Sequence, residues 1–200
     1  MLTLVDYGAG NLVSVERAFE RLGARTRRAR RGEELEGAKV IVLPGVGHFG
    51  ALARALKRDG MADALNAAVG RGAALLGICL GLQVLFERSE EAPTEGGLGW
   101  LGGEVRALPA GVKLPHMGWN QVRRAGPSRL LDAIADDAWF YFAHGYAAFG
   151  AGEAVVGLCD YGEPFAAVIE RGRVAAVQFH PEKSGEAGEK VLRNFLEMAG

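Results

Sequence analysis

Hydrophobic positions fall into two patterns along this chain, and the pattern changes near its middle. Leu2 to Val5 is a short apolar run that reads as a buried strand. Leu12, Val15, Phe19 and Leu22 then recur at spacings of three, four and three, which is one stripe of a helix, and Gly23 follows as a stop. Val40 to Leu43 predicts another strand, closed by Pro44-Gly45. Leu52 to Val69 carries helical patterning broken near Gly60. Ala73 to Ile78 predicts a strand, and Leu80 to Phe86 continues as a helix. Strands alternating with helices imply a parallel sheet covered on both faces.

The second half is poorer in helices. Val105 to Leu108, Trp139 to Ala143, Ala154 to Leu158, Ala166 to Ile169 and Val174 to Phe179 read as strands. Glu170-Arg171-Gly172-Arg173 reads as a hairpin turn, with Gly172 supplying the unusual backbone angle. Val191, Leu192, Phe195 and Leu196 form the buried face of a last helix. The expected architecture is α/β, a mostly parallel central sheet flanked by helices, with antiparallel strands in the C-terminal half. No linker interrupts it, so residues 1–200 are read as one domain.

Composition narrows the function classes. Hydrophobic residues make up 49% and charged residues 24%, as in ordinary globular chains. A net charge of -1 gives no field for nucleic acid or an anionic membrane. Arginines cluster at Arg25, Arg27, Arg28, Arg30 and Arg31, which reads first as a solvated loop or edge and second as a subunit contact or anion site. No apolar run is long enough to cross a bilayer, and the start lacks the pattern of a signal peptide. Cys79 and Cys159 form no CxxC pair, which points to a reducing cytoplasm rather than a disulfide scaffold. His48, His116, His144 and His180 lack zinc-type spacing, so neither a metal nor another cofactor is expected.

Gly8-Ala9-Gly10 follows a strand and opens a helix, as a dinucleotide fingerprint would. Val13 occupies the third glycine position, and no acidic residue ends a second strand to hold a ribose. A tight turn with Asn11 capping the helix is the simpler reading.

The segment Gly77-Ile78-Cys79-Leu80-Gly81-Leu82-Gln83 carries the chemistry. A strand runs into Cys79, a helix follows, and glycines stand two residues to either side, the pattern of a nucleophile elbow with sulfur in place of oxygen. The positive end of a helix favours thiolate over thiol, and the Leu80 N–H points at the same place as an oxyanion donor. Alone, a cysteine after a strand would be a small buried hydrophobe. Cys159 lacks the glycines and reads as structural. A base is needed as well. His180 follows the strand that ends at Phe179, in Gln178-Phe179-His180-Pro181-Glu182-Lys183-Ser184, and Glu182 is placed to hold the imidazole in one tautomer.

These residues are similar to the class I glutamine amidotransferases, through G-I-C-L-G-L-Q and the later F-H-P-E, and the resemblance covers nearly the whole chain. Within that family four further segments resemble the glutaminase subunits of imidazole glycerol phosphate synthases. They are Asp6-Tyr7-Gly8-Ala9-Gly10-Asn11, Pro44-Gly45-Val46-Gly47, Pro115-His116-Met117-Gly118-Trp119-Asn120 and His144-Gly145-Tyr146. The resemblance implies a Cys79, His180, Glu182 triad that hydrolyses glutamine through a thioester. It implies an oxyanion hole from Leu80 with Val46 or Gly47, the latter pair offering an N–H when a partner is ready. Gln83, Gly145 and Tyr146 would grip glutamine. Similar proteins often carry Ser at the position of Gly145, so a hydroxyl contact is missing here. The implied partner is a cyclase subunit, a (β/α)8 barrel that receives the ammonia, faced by Asn11, Trp119 and Lys183. From the residues alone, Trp119 and Asn120 equally suit a core and a turn.

The rivals are a glutaminase feeding an anthranilate, carbamoyl phosphate or pyridoxal phosphate synthase, a stand-alone cysteine hydrolase, and a non-catalytic subunit. The Asp6 to Asn11 and Pro115 to Asn120 segments disfavour the first. Activity without a partner marks the second, and indifference to loss of Cys79 marks the third.

Overall fold

The structure is a computed structural model and describes residues 1–8, 11–58 and 60–200. In chain order the strands are β1 (Leu2–Val5), β2 (Thr26–Ala29), β3 (Val40–Gly45), β4 (Ala74–Cys79), β5 (Glu104–Ala107), β6 (His116–Arg124), β7 (Ala138–His144), β8 (Tyr146–Phe149), β9 (Val155–Asp160), β10 (Pro164–Arg171) and β11 (Val174–Val177). The helices are α1 (Leu12–Arg21), α2 (Phe49–Arg58), α3 (Met61–Gly70), α4 (Leu80–Gln83) and α5 (Gly185–Ala199).

One sheet path runs β2-β1-β3-β4-β11-β10-β9-β6-β7, with β5 and β8 attached beside β10. The pairs from β2 through β11 are parallel, and the pairs beyond β11 are antiparallel. The expected α/β architecture is therefore present. β11 is the C-terminal strand that joins the parallel half, entering beside β4.

Period-two alternation splits each central strand between two cores. Leu2 and Leu4 of β1, Val42 of β3, and Leu76 and Ile78 of β4 pack on the face covered by α1 and α5. Val5, Ile41, Leu43 and Leu75 pack on the face covered by α2 and α3. Strands buried on both faces read as unbroken apolar runs, which is why these were legible.

Several boundaries differ from the sequence expectation. β3 continues through Pro44 and Gly45, which pair with Ile78 and Cys79, so the dipeptide belongs to the sheet and does not close the strand. The helix after Cys79 ends at Gln83 instead of Phe86. Gly60, at φ +64°, separates α2 from α3 as expected. β11 stops at Val177, three residues before His180. Leu196 is half-buried, and Met198 and Asn194 join the buried face of α5.

The arginine cluster contains β2, an edge strand. Arg28 pairs with Glu16, Arg30 with Asp6 and Arg31 with Glu33, while Arg27 donates to Thr3 Oγ1 at 3.0 Å. The edge reading holds, with charged side chains that discourage pairing by another strand. Asn11 occupies the N-cap position of α1 without capping it through its side chain; its Oδ1 accepts the Ser14 hydroxyl at 2.7 Å. The Ala9-Gly10 part of the expected turn lies outside the described residues. Gly172, at φ +63°, turns β10 into β11 as the sequence indicated.

Candidate active site

Parallel neighbours end on the same side of a sheet, so β3, β4 and β11 deliver Gly45, Cys79 and the segment reaching His180 to one rim. Cys79 is the last residue of β4 and the N-cap of α4, and it is held at φ +55°, ψ −110°. That left-handed conformation is costly for a side chain with a Cβ, and it projects the sulfur out of the strand line. The flanking glycines serve it by close approach. A Cβ on Gly77 would sit 2.6 Å from the Gly81 carbonyl oxygen, and one on Gly81 would overlap the Leu43 carbonyl oxygen. A Cβ on Gly45 would come within 2.6 Å of the Gly81 nitrogen. Three glycines thus let β3 and the elbow touch backbone to backbone, while Cys79 itself takes the strained angle.

His180 is buried, and its backbone is fixed from both sides. Its N–H donates to the Tyr141 carbonyl at 2.9 Å, and its carbonyl accepts the Ser184 hydroxyl at 2.7 Å. Ser184 Oγ also accepts the Tyr141 N–H at 3.0 Å. His180 Nδ1 lies 3.0 Å from Glu182 Oε1, with both side chains almost wholly shielded from water. Nδ1 is therefore the donor to the carboxylate, which leaves Nε2 for the sulfur. Burial alone would lower the His180 pKa. The hydrogen bond with the Cys79 sulfur and then the Glu182 carboxylate outweigh it and raise the pKa to about 10, so this imidazole keeps its proton at neutral pH. Among the described residues Glu182 Oε2 is buried without a hydrogen-bond partner, so the carboxylate's contact is the one with the histidine.

A cavity of about 200 Å³ opens over this pair, lined among others by Val46, Gly47, Cys79, Leu80, Gln83, Gly145, Tyr146, His180 and Lys183. It is smaller than a drug-sized site and suits a ligand of amino-acid size. The structure thus brings together the triad positions, the three oxyanion positions and the three glutamine-binding positions named from sequence. Trp119 lies outside it, 53% exposed on β6 rather than in a core. Lys183 sits at the rim with its ammonium 5.6 Å from the centre of the Tyr141 ring. Asn11 is half-buried at the start of α1.

Two features bear on the oxyanion positions. The Leu80 N–H opens α4, and the first turn of a helix has no internal acceptors for such groups. Because α4 is a single turn, it brings far fewer peptide dipoles to Cys79 than a full helix would. The Val46 N–H, by contrast, is already engaged, donating to the Tyr7 hydroxyl at 2.9 Å, and the Val46 carbonyl accepts that hydroxyl's proton at 3.1 Å. Burial is the main cause that raises the Tyr7 pKa and keeps the phenol protonated.

Sequence reasoning missed four residues of this neighbourhood. Gln178, fully buried, points Nε2 at Cys79 Sγ from 3.6 Å. Glu91 lines the cavity and accepts the Phe49 N–H at 2.6 Å. Tyr7 and Ser184 complete the set. Gln178, Tyr7 and Ser184 lie inside motifs already singled out, and membership of those motifs was the only available signal; nothing in the sequence marks Glu91. Among the described residues no group of three or more His, Cys, Asp or Glu side chains could hold a metal, and no helix is long and apolar enough to cross a membrane.

Comparison with known proteins gives the family and the fold. The family model for glutamine amidotransferase class-I matches residues 3–199. Imidazole glycerol phosphate synthase subunit HisH of Moorella thermoacetica is 46% identical over 198 residues, covering 98% of this chain and 94% of that protein. The subunit of the same name from Methanothermobacter thermautotrophicus is 46% identical, covering 99% and 98%. That from Dehalococcoides mccartyi is 42% identical, covering 100% and 98%. Among solved structures, a glutamine amidotransferase superposes with a TM-score of 0.79 at 24% identity, covering 100% of this chain and 98% of the other. The structure of PurLQS from Thermotoga maritima superposes at 0.80 with 22% identity, covering 98% and 97%. At such identities these two speak for the fold.

Proposed function

The chain belongs to the class I glutamine amidotransferase family, and from that premise we propose that it is the glutaminase subunit of an imidazole glycerol phosphate synthase. Its product ammonia passes to a cyclase partner, a (β/α)8 barrel, which makes imidazole glycerol phosphate and an aminoimidazole carboxamide ribotide in histidine synthesis. The observation that carries the chemistry is Cys79, held at a strained backbone angle on the same small cavity that His180, anchored by the Glu182 carboxylate, also lines.

The steps are these. Cys79 sulfur attacks the side-chain amide carbon of glutamine, and the carbonyl electrons move onto oxygen. The Leu80 N–H stabilises that oxyanion together with one from the Val46–Gly47 segment. As the intermediate collapses, its amide nitrogen takes the proton from His180, the C–N bond breaks, ammonia departs and a thioester remains. Neutral His180 then removes a proton from water as it attacks the thioester. Glutamate leaves, and the proton on His180 restores the starting pair. Glu182 holds the imidazole tautomer through both halves. Gln83 and the backbone of Gly145 and Tyr146 grip the substrate, and the Glu91 carboxylate suits its ammonium. Losing one oxyanion donor costs about 10²–10³ in rate, so the engaged Val46 N–H favours a subunit that is slow until its partner frees the loop, over a stand-alone hydrolase. Asn11, Trp119 and Lys183 are assigned to the partner-facing side.

Ammonia release from glutamine, by the chain alone and with the cyclase subunit plus its nucleotide ligand, tests this reading. Low activity alone, strong activity in the complex and none in Cys79→Ala is the expected result. Full activity alone would make it an autonomous hydrolase, and silence in both would rule out the proposed pairing.

A further inference from the structure

Two buried histidines next to the cavity have no part in the steps above. His116 on β6 and His144 at the end of β7 face each other across the ladder, with His116 Nδ1 3.0 Å from His144 Nε2. His144 Nδ1 lies 2.8 Å from the Tyr146 carbonyl oxygen, and His116 Nε2 lies 3.2 Å from Asn120 Nδ2. Both rings are almost fully buried, His116 being sandwiched between Phe142 and Tyr161.

The partners decide where every proton sits. A carbonyl oxygen only accepts, so His144 carries its proton on Nδ1. A neutral His144 then offers Nε2 as an acceptor, so His116 must donate from Nδ1 and accept the Asn120 amide on Nε2. Asn120 is fixed in turn by donating to the Asp160 carbonyl at 3.1 Å. Burial is the leading cause that lowers His116 to about 4 and His144 to about 3, which keeps both neutral at ordinary pH. The chain continues toward the nucleophile. The Tyr146 carbonyl also accepts Gln83 Nε2 at 2.8 Å, and Gln83 Nε2 spends its second hydrogen on Gln178 Oε1 at 3.0 Å. Gln178 Nε2 then donates to Cys79 Sγ. With both amide hydrogens committed, the Gln83 carboxamide has one orientation, and its oxygen is what remains for the cavity that it lines.

We propose that His116 and His144 are positioning residues, which, through a one-way hydrogen-bond chain from Asn120 to the Tyr146 carbonyl, fix the orientation of Gln83 for glutamine binding. The proposal rests on the glutaminase reading. A pair of merely satisfied core histidines would contribute to stability alone; here the last acceptor is a backbone group of the substrate cavity, shared with the side chain that the pair orients.

The test uses the complex with its partner and compares His144→Phe, which removes both ring nitrogens, with His144→Asn, whose amide nitrogen can replace the Nδ1 donor. His144→Phe is expected to lower kcat/KM for glutamine about 10- to 100-fold, mainly through KM, as a misplaced substrate contact does. His144→Asn should recover most of it. Combined with Gln83→Ala, His144→Phe should add no further loss, because both act on one contact. Nitrogen-15 NMR of the unmodified protein near pH 7 should show both histidines neutral with the proton on Nδ1. Losses that multiply in the double variant, a drop in melting temperature with KM unchanged, or a proton on Nε2 of either ring would each overturn the relay. An unmodified complex that does not turn over glutamine would instead overturn the glutaminase reading, and with it the role of the relay in glutamine binding.

Discussion

Cys79 is distinguished by its backbone as well as its sulfur. A left-handed conformation at such a residue costs about 1–3 kcal/mol and persists only where the surroundings impose it; here Gly77, Gly81 and Gly45 pack backbone against backbone around it. Gly145 is the opposite case, since among the described residues a Cβ there meets nothing within 4 Å. Gly145→Ser should therefore be accommodated, and its hydroxyl should restore a substrate contact and lower KM for glutamine by about two- to tenfold, the value of one hydrogen bond. An unchanged KM with intact folding would show that the backbone alone makes the contact. At His180 the folded pKa of about 10 lies above the unfolded value of about 6.5. Its contribution to stability is complete below about pH 6.5 and is lost as pH rises through 10. Buried Cys159, pushed up to about 12 mainly by burial, adds to the alkaline loss by the same sign. Glu182→Gln removes one of the groups that hold the proton on His180, so its melting temperature should fall less between pH 6.5 and 10 than that of the unmodified chain. Equal slopes would mean that the carboxylate does not sustain the protonated imidazole.

At the scale of elements, the site is a meeting of three strand ends, and the least committed of them is the one after β3. Pro44 and Gly45 are locked into the ladder with β4, whereas Val46 is held by the Tyr7 hydroxyl, and Gly47 takes φ +94°. Tyr7→Phe deletes both hydrogen bonds to Val46 and leaves the ring. If the engaged N–H limits the resting subunit, ammonia release without the partner should rise about tenfold, matching the loss of ~1.4 kcal/mol from the two hydrogen bonds together. Assay of the purified chain alone decides it, and an unchanged or lower rate would mean that Tyr7 supports the loop without restraining it.

Across the whole molecule, β6 and β7 present two unlike faces. Met117, Trp119 and Trp139 are exposed on one, while His116, Phe140 and Phe142 are buried on the other. Exposed large apolar side chains gathered on one face mark a contact surface, and tryptophans at such surfaces often carry 2 kcal/mol or more of binding. Trp119→Ala should thus weaken association with the proposed cyclase partner at least about 30-fold, measured by titration calorimetry. Glutaminase activity should return at saturating partner. Affinity within a fewfold of the original would remove Trp119 from the interface.

Some of this architecture was present in the order of the residues. Unbroken apolar runs specified β1, β3 and β4, because strands buried on both faces admit little else. G-I-C-L-G specified the elbow, because its glycines and its nucleophile are neighbours in sequence. The short strand β2 was hidden by its arginines, since an edge strand needs few apolar contacts, β6 was hidden because it alternates polar residues, and β8 because Gly145 alone separates it from β7 and two alanines fill its middle. Pairings across long separations belonged to the tertiary structure alone. β11 enters beside β4 and brings His180 to Cys79, Tyr7 reaches Val46, and the His116–His144 pair arises from two strands meeting in register. Local patterning dictates which segments are strands and which residues turn sharply, because those are short-range steric and solvation effects. Which distant side chains share a proton depends on strand order, which only the folded sheet supplies.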